Sequence, residues 1–163
     1  MIKVLRVDDR LLHGQVAVAW TGFFKIDTIL IANDNVITDK TMQIAFKLAT
    51  PPETVLSMKS LDGAIAVINN PKYESRMMMV ITKNIQDAVY ICERTDHAVK
   101  DILIGGLRSG EGKKQVDLTT YLDDSDMASL KKLDDIGLTI IAQADPTSRK
   151  KSYDDIVKIY SKE

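Results

Sequence analysis

The chain has 163 residues, of which 45% are hydrophobic and 28% charged, the proportions of one water-soluble globular domain. Its 22 lysines and arginines against 23 aspartates and glutamates leave a net charge of −1, which excludes the basic face that non-specific nucleic-acid binding needs. The lone cysteine, Cys92, excludes an internal disulfide, and no run reaches the roughly 20 apolar residues of a membrane span.

The first segment, Ile2 to Asp8, reads as a strand, and "QVAVAWTGFF" after it as the first helix. The opening residues turn acidic too early for a signal peptide, so a cytoplasmic protein is expected. Thr28 to Asn33 is a near-continuous apolar run, as a strand buried on both faces requires. Thr38 and Asp39 then offer caps for a helix through "KTMQIAFKLA", whose Met42, Ala45, Phe46 and Ala49 recur at helical spacing. Pro51-Pro52 ends it, "TVLSM" is a short strand, Ser60 caps a helix in "LDGAIAVIN", and Asn69-Asn70-Pro71 is a turn. Met77 to Thr82 is the next strand and "NIQDAVYICER" a helix.

The second half repeats the pattern with "DILIGG" as a strand and Gly105 to Gln115 as a glycine- and lysine-rich loop. After it come "DSDMASLKKLDDIG", a helix with a serine cap, the strand "LTIIAQA", and a terminal helix in "SYDDIVKIY" whose start is the basic run Arg149-Lys150-Lys151. Strands and helices alternating at this density predict one α/β domain over residues 1–163, a mainly parallel central sheet with helices on both faces. Ligands of such sheets sit beyond the carboxyl ends of the strands. Three loops qualify: Asp8 to Gln15, Thr82 to Asn84 and Gly105 to Gln115.

The first of these carries the chemistry. Asp8, Asp9 and Arg10 leave the strand, and His13-Gly14 precedes the helix. A helix beginning near Gly14 or Gln15 turns free N–H groups and a partial positive charge toward His13, which favours an anion. Arg10 adds a guanidinium able to fork two hydrogen bonds onto phosphate, and Gly14 leaves the helix entrance uncrowded. Imidazole is a competent nucleophile near neutral pH, and such a cradle stabilises the equatorial oxygens of a transferring phosphoryl group. Asp8 or Asp9 would hold the ring, since alternation along a strand sends only one of them to that side. The plainer reading is a solvated loop with a capped helix.

Other chemistries lack parts. No serine or cysteine stands in this loop to serve a hydrolase triad. His97, the only other histidine, follows a helix and reads as a solvent-facing or turn residue, so neither a metal nor a cofactor is expected. Gly112-Lys113 is followed by Lys114, which breaks the Walker A spacing, and no G-x-G-x-x-G follows the first strand, so a flavodoxin-like nucleotide domain has no support. The three consecutive methionines from Met77 are core filler.

"RVDDRLLHGQV", Arg6 to Val16, closely resembles the IIB component of the mannose/fructose/sorbose family of the bacterial sugar phosphotransferase system. The resemblance runs on through "ILIAND" and "ILIGGLRSGEGKKQV". It implies that His13 takes a phosphoryl group on Nδ1 from the phosphohistidine of a IIA protein or domain. The group then passes to a sugar bound by the membrane subunits IIC and IID. On the same resemblance Arg10 neutralises the phosphate, Asp8 orients the ring, and Arg6, Gly14 and Gln15 complete the phosphate site. It further implies a His13 that protrudes and an apolar docking surface, to which Phe23 or Phe24 contributes. The alternative is a non-catalytic α/β module that binds a phosphorylated ligand or partner without accepting the group.

Overall fold

Near-continuous apolar runs make the core strands, and the turn residues between them set the element ends. The computed structural model describes residues 1–162. The chain runs β1 (Ile2–Val7), α1 (Gly14–Phe24), β2 (Thr28–Ala32), α2 (Lys40–Ala49), β3 (Val55–Lys59), α3 (Leu61–Ile68) and β4 (Met78–Thr82). It continues through α4 (Ile85–Glu93), β5 (Asp101–Ile104), β6 (Lys114–Asp117), β7 (Thr120–Leu122), α5 (Asp124–Asp135), β8 (Thr139–Ala142), β9 (Lys151–Ser152) and α6 (Tyr153–Tyr160).

Seven strands form one sheet in the order β3-β2-β4-β1-β5-β8-β9, parallel except for the antiparallel edge strand β9. Successive side chains divide between two cores. Ile29, Ile31, Met79, Ile81 and Leu103 pack with Ala17 and Trp20 of α1 and Phe46 of α2. Leu30, Val80, Ile102 and Ile104 pack with Ala64, Ala88, Leu130 and Ile156 of α3 to α6. The predicted parallel sheet with helices on both faces is therefore the observed one. Each fully buried leucine or isoleucine contributes roughly 1.5–3 kcal/mol, which makes the two-sided central strands the strongest part of the fold.

The chain moves outward from β1 to β2 and β3, then returns to place β4 between β2 and β1 before extending through β5. Helix α1 leaves β1 on one face and α4 leaves β4 on the other, so a crevice opens at the carboxyl ends of this central pair.

Several local readings change. Gly105 to Gln115 is not wholly a loop: β6 begins at Lys114 and pairs antiparallel with β7 in a second, two-stranded sheet. The cap of α5 is Asp123 rather than a serine, in a reciprocal capping box with Asp126. Lys151 belongs to β9 and pairs with Asp117 at 2.8 Å instead of starting a solvated helix; α6 starts at Tyr153, capped by Ser152. The Asn70-Pro71 turn is completed by one 3-10 turn, Pro71–Tyr73. His97 is exposed in a left-handed turn (φ 60°), as read from its surroundings.

Candidate functional site

The crevice is built from the end of β1. Val7, inside the sheet, is followed by a turn in which the Leu11 N–H donates to the Asp8 carbonyl at 2.9 Å. Leu11 accepts a left-handed backbone (φ 59°) and is buried, and Gly14 takes φ 44° at the helix entrance. A non-glycine residue in that region costs roughly 1–2 kcal/mol, so the turn is a strained one held by its surroundings. His13 stands at the N-cap of α1 in extended conformation, and no side chain caps this helix. The amides of Gly14 and Gln15 are thus left for solvent or an anion, and both residues are exposed.

Asp8 settles which acid holds the ring. Its Oδ2 lies 2.8 Å from His13 Nε2 and accepts from Arg6 Nη2 at 3.1 Å, while Oδ1 accepts the Arg10 backbone N–H at 3.0 Å. Asp8 is fully buried. Burial by itself raises its pKa, but the His13 hydrogen bond, the Arg6 charge and the Arg10 amide together outweigh burial and hold it below the ordinary carboxylate value. An ionised carboxylate only accepts, so in the neutral ring Nε2 carries the proton and Nδ1 the lone pair. The His13 side chain is 20% exposed, partly open rather than fully protruding.

Asp9 points elsewhere. Its Oδ2 accepts from the Arg108 amide at 2.8 Å and from Arg108 Nε at 3.2 Å, which pins the loop after β5 beside the crevice. Thr82 accepts the Asp8 amide through its carbonyl. All three predicted loops therefore meet, around an open groove of about 560 Å³ lined in part by Asp9, Lys83, Asn84, Arg108 and Lys113.

Arg6 lies beneath the site. It is 3% exposed, paired with Asp8, and set against the Trp20 ring with 5.6 Å from Cζ to the centroid. Burial pushes its pKa down, opposed by the neighbouring Asp8 charge. Arg10 is exposed and makes no ion pair with its guanidinium among the described residues. Phe23 is 56% exposed at the far end of α1, whereas Phe24 is half-buried and stacks on Trp20. The sequence marks Gly105 only as the start of a candidate loop and Trp20 only as part of the first helix, and neither shows its contact with Arg6. Only the position of Arg6 gives them a part.

Fold and site together define a doubly wound α/β protein with a carboxylate-held histidine at an uncapped helix start. The family model of the PTS system sorbose subfamily IIB component matches residues 2–163. The sorbose-specific EIIB component of Klebsiella pneumoniae is 31% identical over 149 residues, covering 90% of each chain. That of Lacticaseibacillus casei is 31% identical over 151 residues, 91% of this chain and 92% of the relative. The crystal structure of the IIBSor domain of the Klebsiella pneumoniae sorbose permease superposes with a TM-score of 0.90 at 28% identity, covering 97% of both chains. The chain belongs to the sorbose subfamily of phosphotransferase-system IIB components, a family of sugar-transport transferases.

Proposed function

We propose that His13 is a phosphoryl carrier, loaded by the phosphohistidine of a IIA protein or domain and unloaded onto a sugar presented by membrane subunits IIC and IID. The single observation that carries this reading is the 2.8 Å contact between His13 Nε2 and the buried Asp8 carboxylate, which leaves Nδ1 as the nucleophile beside free helix amides. In the first step the Nδ1 lone pair attacks phosphorus in line, the donor P–N bond breaks, and the donor ring leaves with its electron pair. The loaded ring keeps its Nε2 proton and gains positive character, which Asp8 stabilises. The Arg10 guanidinium and the Gly14 and Gln15 amides hold the equatorial oxygens, with Arg6 acting from beneath through Asp8. In the second step a sugar hydroxyl attacks phosphorus in line, the P–Nδ1 bond breaks with its electron pair returning to His13, the hydroxyl proton passes to water, and His13 is left as neutral imidazole.

Residues 1–162 contain no helix long and apolar enough to cross a membrane. On the family match, we take residues 1–163 as a cytoplasmic IIB unit that works against the membrane subunits. The test is to incubate the chain with phosphoenolpyruvate, the general phosphotransferase proteins and a IIA component. The expected product carries phosphate that is acid-labile and alkali-stable, and His13→Ala abolishes it. Label that persists in His13→Ala would remove His13 from the reaction. A wild type that binds phosphate but never takes label would leave only the non-catalytic module.

A further inference from the structure

Two glycines, Gly105 and Gly106, follow β5, and they face different neighbours. Gly105 has no left-handed backbone, so conformation does not demand glycine there. Space does. A Cβ on Gly105 would overlap Arg6 Nη2 and Cζ and stand 2.8 Å from Arg6 Nη1. A Cβ on Gly106 would meet Asp8 Oδ1 at 3.5 Å, an ordinary contact.

Both sides of the Gly105 contact are held by their neighbours. The Gly105 amide donates to the Val7 carbonyl at 2.8 Å, and its own carbonyl accepts the buried Thr120 hydroxyl at 2.7 Å. Just before it, the Ile104 carbonyl accepts the Gln143 amide at 3.1 Å, so β1, β7 and the residue after β8 all hold this segment. On the other side the guanidinium is buried against Trp20 and tied to Asp8. Arg6 therefore occupies a slot whose floor is the bare α-carbon of Gly105.

We propose that Gly105 is a positioning residue for His13. Its missing side chain seats the Arg6 guanidinium against Asp8 Oδ2, the same oxygen that receives His13 Nε2, and so sets the ring's tautomer and direction. The proposal rests on His13 as the phosphoryl carrier for its kinetic consequence, whereas the ring geometry is read independently of phosphorylation.

The experiment uses the full chain as wild type, Gly105→Ala, Gly106→Ala, Arg6→Met and the Arg6→Met/Gly105→Ala double variant. The 15N shifts of the His13 ring report the tautomer, and transfer from phosphorylated IIA reports kcat and KM. Wild type and Gly106→Ala are expected to show one Nε2–H tautomer and equal rates. Gly105→Ala is expected to show averaged ring nitrogens and a kcat lower by about 10- to 100-fold with little change in KM for IIA. Added to Arg6→Met, the same alanine is expected to change the rate less than about two-fold, because residues acting through one partner are not additive.

Wild-type ring shifts in Gly105→Ala, an equal loss in Gly106→Ala, or a full further loss on top of Arg6→Met would each overturn the proposal. If Gly105→Ala does not fold, Arg6→Lys/Gly105→Ala decides the matter, since the slimmer ammonium fits beside a methyl. A restored Nε2–H tautomer supports the proposal, and averaged ring signals in that folded double variant reject it. Should wild type take no phosphate at all, the carrier reading fails while the ring shifts still judge Gly105.

Discussion

Asp8 is the residue on which the proposed chemistry turns, and its surroundings set a pH dependence. Its carboxyl is held below the ordinary value of 3.8 in the folded chain, so it contributes stability that is fully present above that value. The contribution is lost as pH falls from 3.8 through the lowered folded value. Urea midpoints measured from pH 6 downward are expected to drop on the acid limb in wild type and to drop less steeply in Asp8→Asn. At neutral pH that variant is expected to be less stable by about 3–5 kcal/mol, because Arg6 is left buried without its partner. Parallel acid limbs would show that Asp8 is not the group that titrates. Arg10 behaves differently because it is exposed. Arg10→Ala is expected to slow transfer by roughly 10- to 1,000-fold through loss of one phosphate-facing charge. Its thermal unfolding should be unchanged to within about 0.5 kcal/mol, as for most surface substitutions. An undiminished rate removes Arg10 from the mechanism.

At the scale of elements, α1 differs from its neighbours in how it begins. Asp39, Ser60, Asn84, Asp123 and Ser152 each cap a helix by accepting a first-turn amide, while His13 caps α1 without doing so. The imidazole is turned toward Asp8 instead, which keeps the amides free. Substituting an ordinary cap tests the distinction. Ser152→Ala is expected to cost about 1 kcal/mol in chemical denaturation and to leave phosphorylation untouched, since α6 follows β9, which stands three places from β1 in the sheet. Gly14→Ala is expected to cost a similar ~1 kcal/mol, because an L-residue is forced to φ 44°. It should also slow transfer by shifting the amides that face the phosphate. Wild-type transfer by Gly14→Ala would argue that the helix start does not touch the phosphoryl group.

Across the whole molecule, the small β6–β7 hairpin is part of the cooperative unit. Leu122 of β7 is fully buried in the same core as Leu30, Ile104 and Leu130, and Thr120 reaches across to Gly105. Leu122→Ala is therefore expected to lower global stability by about 2–5 kcal/mol and leave a single transition. Far-ultraviolet circular dichroism and the fluorescence of Trp20, which reports the opposite core, should give coincident urea curves. An early separate step seen by one probe alone would mean that the hairpin unfolds on its own. The hairpin matters to function because it holds the backbone over which Arg6 lies.

The sequence by itself determined the α/β alternation, the central strands and the loop that bears His13. Burial on both faces writes a parallel strand as a continuous apolar run, and "TILIA" or "MMVIT" cannot be mistaken for surface. Arg6, Asp8, Arg10 and His13 were equally legible, because they lie within one short string. Only the tertiary structure decided the rest. Strands such as "KQVD" and "KS" pair through backbone groups and carry no apolar period, so β6 and β9 left no mark. Alternation separated Asp8 from Asp9, but the side each takes depends on which face of the sheet α1 covers. Arg6 was legible as a charge near the site, yet its burial beneath Asp8 needed Trp20 and Gly105, one of them 99 residues further along the chain. Contacts between segments so far apart leave no local pattern, and they set the orientation of the ring.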